Sequence, residues 1–463
     1  MGKLQIRRGN QSALPVLDSG EPGLSTDTNR LYIGTPTGNR EIQIIGDASS
    51  YTLYVATVAL GGRAESAGAT GRLIRSSTAT STTANKLVDS GATFTSATHL
   101  NKTLYNSTDD TWAKITAIDS TTQVSISDDI MASGEYYVIS NAYSTVQEAI
   151  NAVPVFVNSN VSIRISNGTF AENVTYRGKI SGAYSLYIYG TLTLLELVSS
   201  ATVAAGTGAT QGAVTSVGSF AGNSYANKLA YFVTDGVYRL IDSHTNDVLT
   251  IVGTAASSTA QDVKIYDWGT LISFISSAAM LTVSNQKNLY IYSLAMHNGT
   301  NTNRAFAIDS NSSAQLLYCS IDGTILINTY SGFTFDTSFT NANTALVPIH
   351  CQGGSVGDSS RSKHLAGATA QEVLRAWGAS GYNLRRGTII DGNGFTPAYG
   401  FNVFSNGYGN CYAAASDGYP RIRNCNNGLR ASSGGMLTNT ADIQYSGNTT
   451  NESADATSYG YID

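Results

Sequence analysis

Charged residues are scarce in this sequence: only 13% of its 463 residues are Asp, Glu, Lys or Arg, and the formal net charge is −5. No long basic run occurs, so the chain lacks the cationic surface that nucleic-acid binding requires, and we expect no nucleic-acid partner. It also lacks an apolar run of about 18 residues and the charged, apolar and small segments of a signal peptide. We therefore expect no membrane insertion and no Sec export, and a protein that is made in a cytoplasm.

Cysteine is also rare. The four cysteines lie near Asn, Gly or Ser in turn-like contexts: Cys319, Cys351, Cys411 and Cys425. No CxxC pair and no Cys/His spacing typical of zinc is present, so we predict no metal site. We predict buried free thiols in preference to disulfides. Nothing in the sequence predicts a cofactor.

What the sequence does contain is Gly (46 residues), Tyr (27 residues) and many Ser, Thr and Asn. Residues 406–447 divide into two similar blocks, NGYGNCYAAASDGYPRIRNCN and NGLRASSGGMLTNTADIQYSG, which place Ile422 and Ile443 at the same position. A period near 21 predicts a solenoid, and short β-rich segments between Gly, Asn and Ser favour a parallel β-helix. A 27-residue step from Leu289 to Leu316 suggests longer coils further upstream. The predicted fold class is therefore all-β.

The N-terminal stretch carries a series of short motifs between Leu4 and Ile45: I-R-R-G, L-P-x-L, G-E-P-G, T-D-T-N-R-L-Y-I-G and G-N. In this order they resemble the N-terminal segment of many bacteriophage tail fibres and tail proteins. The resemblance implies that residues 1–46 form a small β module for virion attachment or for joining a trimer. It also implies a protein of the virion tail that is made in the cytoplasm of a bacterial host and binds other tail or baseplate proteins.

The next segments contain few residues suited to a hydrophobic core. Residues 47–84 are rich in Ala, Ser, Thr and Gly and are predicted to be a linker, which favours a homotrimer over a monomer. Residues 85–141 alternate apolar and polar positions and predict a small antiparallel β domain. Several of its residues recur 126 positions later, which predicts a second small β unit at 222–268. Chance similarity in a low-complexity chain is the alternative.

Residues 142–463 are predicted to form the β-helix. Ser144 and Gln147 make a capping-box pattern that predicts a short helix over 144–153. The run SxVQEAINAVP, followed by I-x-I-x-x-G-x-F-x-E-x-V at Ile163–Val174, resembles the start of pectin-lyase-like right-handed parallel β-helices. A second capping box predicts another short helix over 369–378, either a lid or a trimer contact.

Catalytic residues are harder to find. Adjacent coils place equivalent side chains about 5 Å apart, which would suit a pair of glycosidase carboxylates. The predicted coil phasing yields no such stack. Asp391, Asp358 and Glu372 are weak catalytic candidates with His364 nearby, and ordinary turn formation or capping is the favoured explanation of each.

Aromatic residues crowd the loops around 394–420. Flat rings with a polar edge suit sugar binding, so four of them are weak candidates for a glycan site: Tyr399, Tyr408, Tyr412 and Tyr419. Stacking inside the coil or across a trimer axis is the favoured alternative.

Three functions agree with these patterns. The first is a tail fibre or tailspike-like structural protein that attaches to the virion by its N-terminus and recognises host surface polysaccharide through a β-helix. The second is a depolymerase, a glycoside hydrolase or lyase acting on capsular or lipopolysaccharide glycans. The third is an architectural tail protein without glycan binding. The missing carboxylate stack argues against an enzyme.

Overall fold

A computed structural model describes most of the chain. The described residues are 7–10, 15–19, 21–26, 30–35, 38–42, 51–153, 159–178, 184–207, 210–222, 224–255, 257–273, 279, 281–297, 304–341, 348–366, 370–385, 387–412, 418–438, 443–454 and 461–462. Three long sheets dominate, and every strand pairing within them is parallel. From Val161 onward, each pass of the chain contributes one strand to each sheet before returning to the first, and Tyr51–Val55 is an additional strand at the start of the first sheet. This arrangement is a parallel β-helix, as predicted.

Sheet 1 has eleven strands. They are β5 (Tyr51–Val55), β12 (Val161–Ile165), β15 (Leu186–Tyr189), β24 (Leu289–Tyr292), β27 (Ser313–Leu317), β30 (Gly332–Asp336), β33 (Val356–Ser360), β36 (Gly381–Arg385), β39 (Tyr408–Tyr412), β42 (Met436–Thr438) and β45 (Tyr461–Ile462).

Sheet 2 has nine strands. They are β13 (Gly168–Ala171), β22 (Thr270–Ser273), β25 (Leu294–His297), β28 (Ser320–Asp322), β31 (Phe339–Asn341), β34 (Lys363–Leu365), β37 (Ile389–Asp391), β40 (Arg421–Arg423) and β43 (Gln444–Ser446).

Sheet 3 also has nine strands. They are β14 (Val174–Arg177), β23 (Leu281–Ser284), β26 (Arg304–Asp309), β29 (Thr324–Ile327), β32 (Ile349–Cys351), β35 (Glu372–Trp377), β38 (Tyr399–Phe404), β41 (Asn427–Ser432) and β44 (Thr450–Ala454).

One continuous apolar core fills the space between the three sheets. Strands alternate buried and partly exposed residues, so every second side chain points inward and stacks on its equivalent in the next coil. Ile291, for example, pairs with Leu316, and Leu316 pairs with Phe335. The four cysteines are buried free thiols, as predicted. Burial raises the pKa of Cys319 to about 12, so this thiol stays protonated and behaves as an apolar side chain.

The predicted coil phasing is wrong in detail. Leu289 pairs with Ala314, which is a step of 25 residues and not 27. Ile422 pairs with Tyr445, so Ile443 is not its equivalent. Coil length varies because the corner loops differ in length, whereas pairing is set by the inward-pointing residues. A repeat counted from matching Asn residues in the corners therefore does not give the register.

The helix predicted over 369–378 is also wrong. Thr369 lies outside the described residues, and Glu372 to Trp377 form β35, which pairs with β32 on one side and β38 on the other. Leu374 and Ala376 are buried in the core at alternate positions. Hydrogen bonding to two neighbouring strands outweighs the local helical pattern, because tertiary contacts override weak propensity.

The N-terminal residues form a separate four-stranded sheet. Its strands are β1 (Arg7–Gly9), β2 (Pro22–Ser25), β3 (Arg30–Thr35) and β4 (Gly38–Ile42), of which β1 and β2 are parallel and the rest antiparallel. Residues 51–84, predicted to be a linker, are structured: β5 is the first strand of sheet 1 and pairs with β12. Two short 3₁₀ helices, Val58–Leu60 and Glu65–Ala67, follow β5.

A first small β domain is inserted between β5 and β12. Its antiparallel strands are β6 (Leu73–Thr78), β7 (Lys86–Val88), β8 (Thr103–Asn106), β9 (Thr111–Ile118), β10 (Gln123–Ile126) and β11 (Tyr136–Ser140), with the short helix α1 (Ser96–His99). The strand order is β6-β11-β8-β9-β10-β7. The sheet thus starts at Leu73, earlier than the predicted 85–141.

A second small β domain is inserted between β15 and β22. Its strands are β16 (Leu192–Ala204), β17 (Ala213–Thr215), β18 (Leu229–Phe232), β19 (Val237–His244), β20 (Val248–Ile251) and β21 (Gln261–Trp268), which close into a barrel. This domain begins at Leu192, so the predicted 222–268 unit covers only its second part. The run TLTLLELV at 191–198 predicts a strand of the β-helix, whereas in the structure it forms the first part of β16 in the barrel, with Leu194 and Leu197 exposed.

The two inserted domains share one topology. The barrel order β16-β21-β18-β19-β20-β17 matches the first domain strand for strand. Tyr105 pairs with Trp112, and 126 residues later Tyr231 pairs with Tyr238. Asn101 N–H donates to Ile115 O at 2.9 Å, and Asn227 N–H donates to Ile241 O at 2.8 Å. The shared register explains the recurrence of residues in the sequence.

Helix α2 (Val146–Ala152) lies at the start of the β-helix. Its cap is Thr145, whose side chain accepts from Glu148 N–H, so the helix starts one residue later than the capping box at Ser144 predicts. Val146, Ala149 and Ile150 pack into the core, which keeps that end of the stack from pairing with another strand. Neither helix found in the described residues has the length and apolarity needed to span a membrane.

Candidate functional site: the outer face of sheet 1

The outer face of sheet 1 presents side chains in straight columns, because parallel in-register pairing repeats each position every coil, about 4.8 Å apart. One column changes character along the stack from aromatic to polar. Its members are Tyr187, Tyr290, Gln315, Thr334, Asp358, Asn383, Asn410 and Thr438. No other outer column of the described strands combines stacked rings with so many hydrogen-bonding groups.

Four tyrosines form a platform at one end of this face. Tyr187 and Tyr290 stack with ring centroids 5.1 Å apart and planes inclined by 19°, and Tyr189 and Tyr292 stack at 5.0 Å and 17°. The Arg164 guanidinium lies 4.8 Å from the centre of the Tyr189 ring. Burial raises the pKa of Tyr292 to about 12, so its hydroxyl remains a hydrogen-bond donor at neutral pH.

A groove of about 320 Å³ continues from the platform over five coils. Its lining includes Tyr290, Gln315, Thr334, Asp358 and Asn383. The floor is closed by inward-turned residues such as Leu289 and Phe333. The groove therefore offers a ring surface at one end and amide, hydroxyl and carboxylate groups along its length.

The charges in the groove are paired. Asp358 Oδ2 lies 2.8 Å from Arg385 Nε, and the side-chain exposures are 16% for Asp358 and 45% for Arg385. Asp336, on the neighbouring outer column, is held by two bonds from Arg361, of 3.0 and 2.6 Å. In the paired positions of the adjacent coils, Asp358 faces Thr334 and Asn383. Among the described strands no two carboxylates occupy paired positions, so no two acids lie directly opposite each other in adjacent coils.

The predicted candidates are divided among the three sheets. Asp358 lines the groove, and Tyr408 lies on the same face, exposed and with its ring over Gly381. Tyr412 occupies the strand position paired with Arg385, but its side chain lies outside the described residues. Tyr419 is half-buried outside the strands.

Glu372 and Tyr399 are paired with each other on sheet 3, far from Asp358 in the coil. Glu372 accepts two bonds from Arg375, at 2.8 and 2.9 Å, and a third from Asn402 at 3.0 Å. Tyr399 is covered by the Arg430 guanidinium, 4.5 Å from the ring centre. Both residues are engaged in a local ion and hydrogen-bond network, which suits a structural role.

Asp391 lies on sheet 2 and helps to hold the barrel. Arg423 Nε is 2.8 Å from Asp391 Oδ2, and Arg423 also binds Asp242 of the barrel. Lys363 Nζ lies 2.9 Å from Asp242 Oδ1. Burial alone raises the pKa of Asp242, but Lys363 and Arg423 lower it to about 2. This network fixes the inserted domain on the β-helix.

His364 lies inside the core and not in a groove. Its ring nitrogens bond to Thr340 Oγ1 and Ser359 Oγ, each at 2.9 Å, and Ser359 also bonds to the Tyr382 hydroxyl. Burial lowers the pKa of His364 to about 3, so the ring is neutral. All four residues are fully buried, and the Ser–His contact has no route to a substrate.

The tyrosine platform was missed at the sequence level, although a signal exists. The tetrapeptide LYIY occurs twice, at 186–189 and 289–292, and the two copies pair in register. The 99 residues between them hide the repeat, because most of that interval is the inserted barrel. Among the described residues, no three His, Cys, Asp or Glu side chains are placed to hold a metal ion.

Comparison with known proteins adds to the N-terminal resemblance. Residues 4–35 match the family model of the major tropism determinant N-terminal domain. The match covers the same residues whose motifs resemble phage tail fibres. No curated protein sequence matches the chain.

Solved structures give only distant likenesses. A XylC complex with xylose is 10% identical, with a TM-score of 0.23 over 65% of this chain and 66% of that one. The Pseudomonas phage phi297 tailspike gp61 is 11% identical, with a TM-score of 0.21 over 68% of this chain and 60% of that one. The Gp54 tailspike of Acinetobacter baumannii phage AP22, in complex with a capsular saccharide, is 10% identical, with a TM-score of 0.15 and 64% coverage of each chain. The chain spans about two thirds or less of each of these structures. At these scores, the fold rests on the strand pairing alone, and the family match concerns the N-terminal segment.

Proposed function

We propose that this protein is a tail fibre or tailspike-like component of a phage tail that binds a host surface polysaccharide along the outer face of sheet 1. The observation that carries the proposal is the column running from Tyr187 and Tyr290 to Asn383 and Asn410. The N-terminal family match supports the setting in a phage tail.

The chemistry of the groove suits a chain of sugar rings. The stacked tyrosines offer apolar ring edges to the C–H groups of sugars, and their hydroxyls donate hydrogen bonds. Gln315, Thr334 and Asn383 then supply donors and acceptors for hydroxyl groups. Because the column repeats about every 4.8 Å, close to the length of one sugar residue, a linear polysaccharide can lie along the β-helix axis and use each coil in turn.

Binding without cleavage is the favoured activity. Asp358 is the only groove carboxylate among the described lining residues, and Arg385 binds it. A hydrolase needs a second carboxyl group at a separation of about 5 to 10 Å. The polysaccharide depolymerase and the purely architectural tail protein remain as alternatives that the experiment below separates.

The proposal places residues 1–46 at the attachment to other tail or baseplate proteins and the assembled protein in the virion tail as a homotrimer. The attachment rests on the motifs and on the family match to residues 4–35.

The test measures binding of purified host capsular polysaccharide and lipopolysaccharide to the full chain and to Tyr290→Ala and Asn383→Ala. Loss of one stacking partner is worth about 1 kcal/mol or more, so Tyr290→Ala weakens binding at least about fivefold. The matched control is Tyr136→Ala, which removes an exposed tyrosine of the first inserted domain.

Reducing ends are assayed in the same samples. Binding that both groove variants weaken, without new reducing ends, supports the proposal. Release of reducing ends would make the depolymerase correct, and absence of binding and cleavage would leave the architectural role. Equal losses in Tyr136→Ala and Tyr290→Ala would contradict the groove assignment.

A further inference from the structure

A second site lies at the corner where the chain passes from sheet 3 to sheet 1. Ile327, Cys351 and Ala376 pair in register on three successive coils. The residues that follow them are Asn328, Gln352 and Trp377, so these three side chains form a column at the corner. In the next coil Phe404 pairs with Trp377.

Trp377 is the exposed indole of the chain. Its relative exposure is 41%, whereas Trp112 is buried and Trp268 is half-buried. The Trp112 indole donates to Thr191 Oγ1 at 2.9 Å, and the Trp268 indole donates to Tyr318 O at 2.6 Å. The Trp377 indole N–H makes no hydrogen bond to any described residue. An exposed indole offers a ligand both an apolar ring surface and a hydrogen-bond donor.

Two rings lie beside the indole, and 41% of Trp377 remains exposed. The Phe404 ring is nearly parallel to it, inclined by 17° with centroids 6.2 Å apart, and His350 lies 6.1 Å away. A cavity of about 330 Å³ adjoins the indole, lined by Asn328, Gln352, Gly353, Trp377 and Gly378. This volume suits one sugar ring with its water molecules.

Glycines keep the cavity open. Gly353 and Gly378 have left-handed φ values of +64° and +65°. A Cβ on Gly353 would lie 3.0 Å from Asn328 Oδ1 and would fill part of the space beside the amide. Larger residues would therefore both strain the backbone and narrow the cavity.

The polar groups of the cavity are neutral and available. The side-chain amides of Asn328 and Gln352 make no hydrogen bond within the described part of the chain, and no charged side chain lines the cavity. Arg375, the nearest cation on β35, is already bound by Glu372. Primary amides beside an aromatic face bind paired hydroxyl groups of a sugar, whereas an anionic sugar would need a cation here.

We propose that this corner binds a single neutral sugar ring, with its apolar face on Trp377 and two hydroxyl groups on Asn328 and Gln352. The site is separate from the groove on sheet 1 and does not depend on it. It would give a polysaccharide that wraps the β-helix, or a branch of that polysaccharide, a second point of contact.

The test is ¹⁹F NMR of the full chain labelled with 5-fluorotryptophan, which gives one signal for each of the three tryptophans. Trp377→Phe identifies the Trp377 signal by its loss. The probes are the methyl glycosides of glucose, galactose, mannose, rhamnose and N-acetylglucosamine, with methyl glucuronoside as the charged comparison. We expect at least one neutral glycoside to shift the Trp377 signal saturably, with a Kd on the order of millimolar, while the Trp112 and Trp268 signals stay in place.

Variants separate this site from the groove. Gln352→Ala and Asn328→Ala each weaken the response about two- to tenfold, the value of one hydrogen bond. Tyr290→Ala leaves it unchanged, and unmoved Trp112 and Trp268 signals show that each variant is folded. A Trp377 signal that no neutral glycoside shifts would overturn the proposal. A stronger shift with the glucuronoside would overturn the neutral ligand, and loss of the response in Tyr290→Ala would show that the corner is not a separate site.

Discussion

Arg423 of β40 and Asp242 of the inserted barrel, 181 residues apart in the sequence, form a two-point ion pair with bonds of 2.7 and 3.0 Å. Lys363 binds the same carboxylate, so one buried acid anchors the barrel through two cations, from β34 and β40, with β37 between them. Removing that acid leaves the buried Lys363 without its carboxylate partner, whereas Arg423 keeps its ion pair with Asp391. Asp242 is therefore important for stability, because removing one partner of a buried ion pair is strongly destabilising.

Asp242→Ala is expected to loosen the barrel from the β-helix, with a cost on the order of 3 kcal/mol, because Lys363 stays buried without a carboxylate partner and Arg423 loses its link to the barrel. Hydrogen exchange measures this loosening: the amides of β18 and β19 exchange faster, whereas the exchange rates of the first inserted domain do not change. Asp267→Ala, which removes a more exposed ion pair of the barrel, is the control. Equal protection in Asp242→Ala and the unmodified protein would show that apolar contacts alone hold the barrel.

The ion pair of Asp242 with Arg423 and Lys363 also makes the stability of the protein depend on pH in acid. The pKa of Asp242 is lowered to about 2, below its ordinary value, so its contribution to stability is complete above about pH 4 and is lost as the pH falls toward 2. Thermal unfolding between pH 5 and pH 2 should show a loss of stability that is smaller in Asp242→Asn, which has no charge to lose. A parallel decline in both proteins would assign the acid sensitivity to other carboxylates.

Asp110 behaves in the opposite way. Burial raises its pKa to about 6, although the Tyr105 hydroxyl donates to it at 2.9 Å and Arg164 faces it. Tyr238 and Tyr266 of the barrel lie on its other side, and its charge contributes to their raised pKa values. The stability that the protonated acid provides is therefore present at pH 4 and lost as the pH rises through about 6.

Asp110→Asn should make the junction between the two inserted domains more stable at pH 7.5, by on the order of 2 kcal/mol, and have less effect at pH 4. Asp110 has a left-handed φ of +57°, which Asn also tolerates, so the substitution adds little strain. The measurement is unfolding at both pH values. A stabilisation of the same size at pH 4 and pH 7.5 would indicate a backbone effect and not titration.

The observed register can be tested in the core. Leu316 lies between Ile291 and Phe335 in the stack, and Leu316→Ala should cost about 2 to 4 kcal/mol. A double-mutant cycle of Leu316→Ala with Ile291→Val should show coupling, because the side chains are in contact. The cycle with Leu289→Val is the control. Stronger coupling of Leu316 to Leu289 would instead support the predicted 27-residue step.

Deletion of residues 1–46 should yield particles that lack this protein, with the β-helix still folded by circular dichroism. Particle composition is read by mass spectrometry. Truncated protein that still joins particles in normal amount would contradict the attachment role.

A trimeric mass by light scattering at micromolar concentration is expected for the full chain. A monomeric mass would contradict the homotrimer.

The sequence predicted the architecture better than the register. Scarce charge, alternating strands and polar turns favour a parallel β-helix whatever the length of each coil. Register depends on which side chains point inward, and matching Asn residues, as at Asn406 in a turn and Asn427 at the start of β41, carry no such information. The helix predicted at Glu372 failed because neighbouring strands supply the hydrogen bonds that an isolated segment lacks.

The candidate site was predicted only in part. Asp358 does line the groove. Asp391 and Glu372 are held in ion networks that a single sequence does not reveal. Arg423, the partner of Asp391, lies in another coil, and Arg375, the partner of Glu372, lies on the same strand. The tyrosine platform depends on pairing between β15 and β24 across an inserted domain. Local sequence patterns do not predict a contact between strands so far apart in the chain. The repeated LYIY is the one signal that indicates it.

Strand β12 pairs on one side with β5 and on the other with β15: Val161 faces Tyr51, 110 residues earlier, and Leu186, 25 residues later. Loop-closure entropy grows so slowly with length that the longer connection costs only about 1 kcal/mol more. The corner after sheet 1 carries an extra domain after β5 and after β15, but not after β12 in the coil between them, and the register does not change. A lineage can therefore add, exchange or lose whole domains at this corner while keeping its coils, so new surfaces can be acquired in single recombination events and not only by gradual substitution.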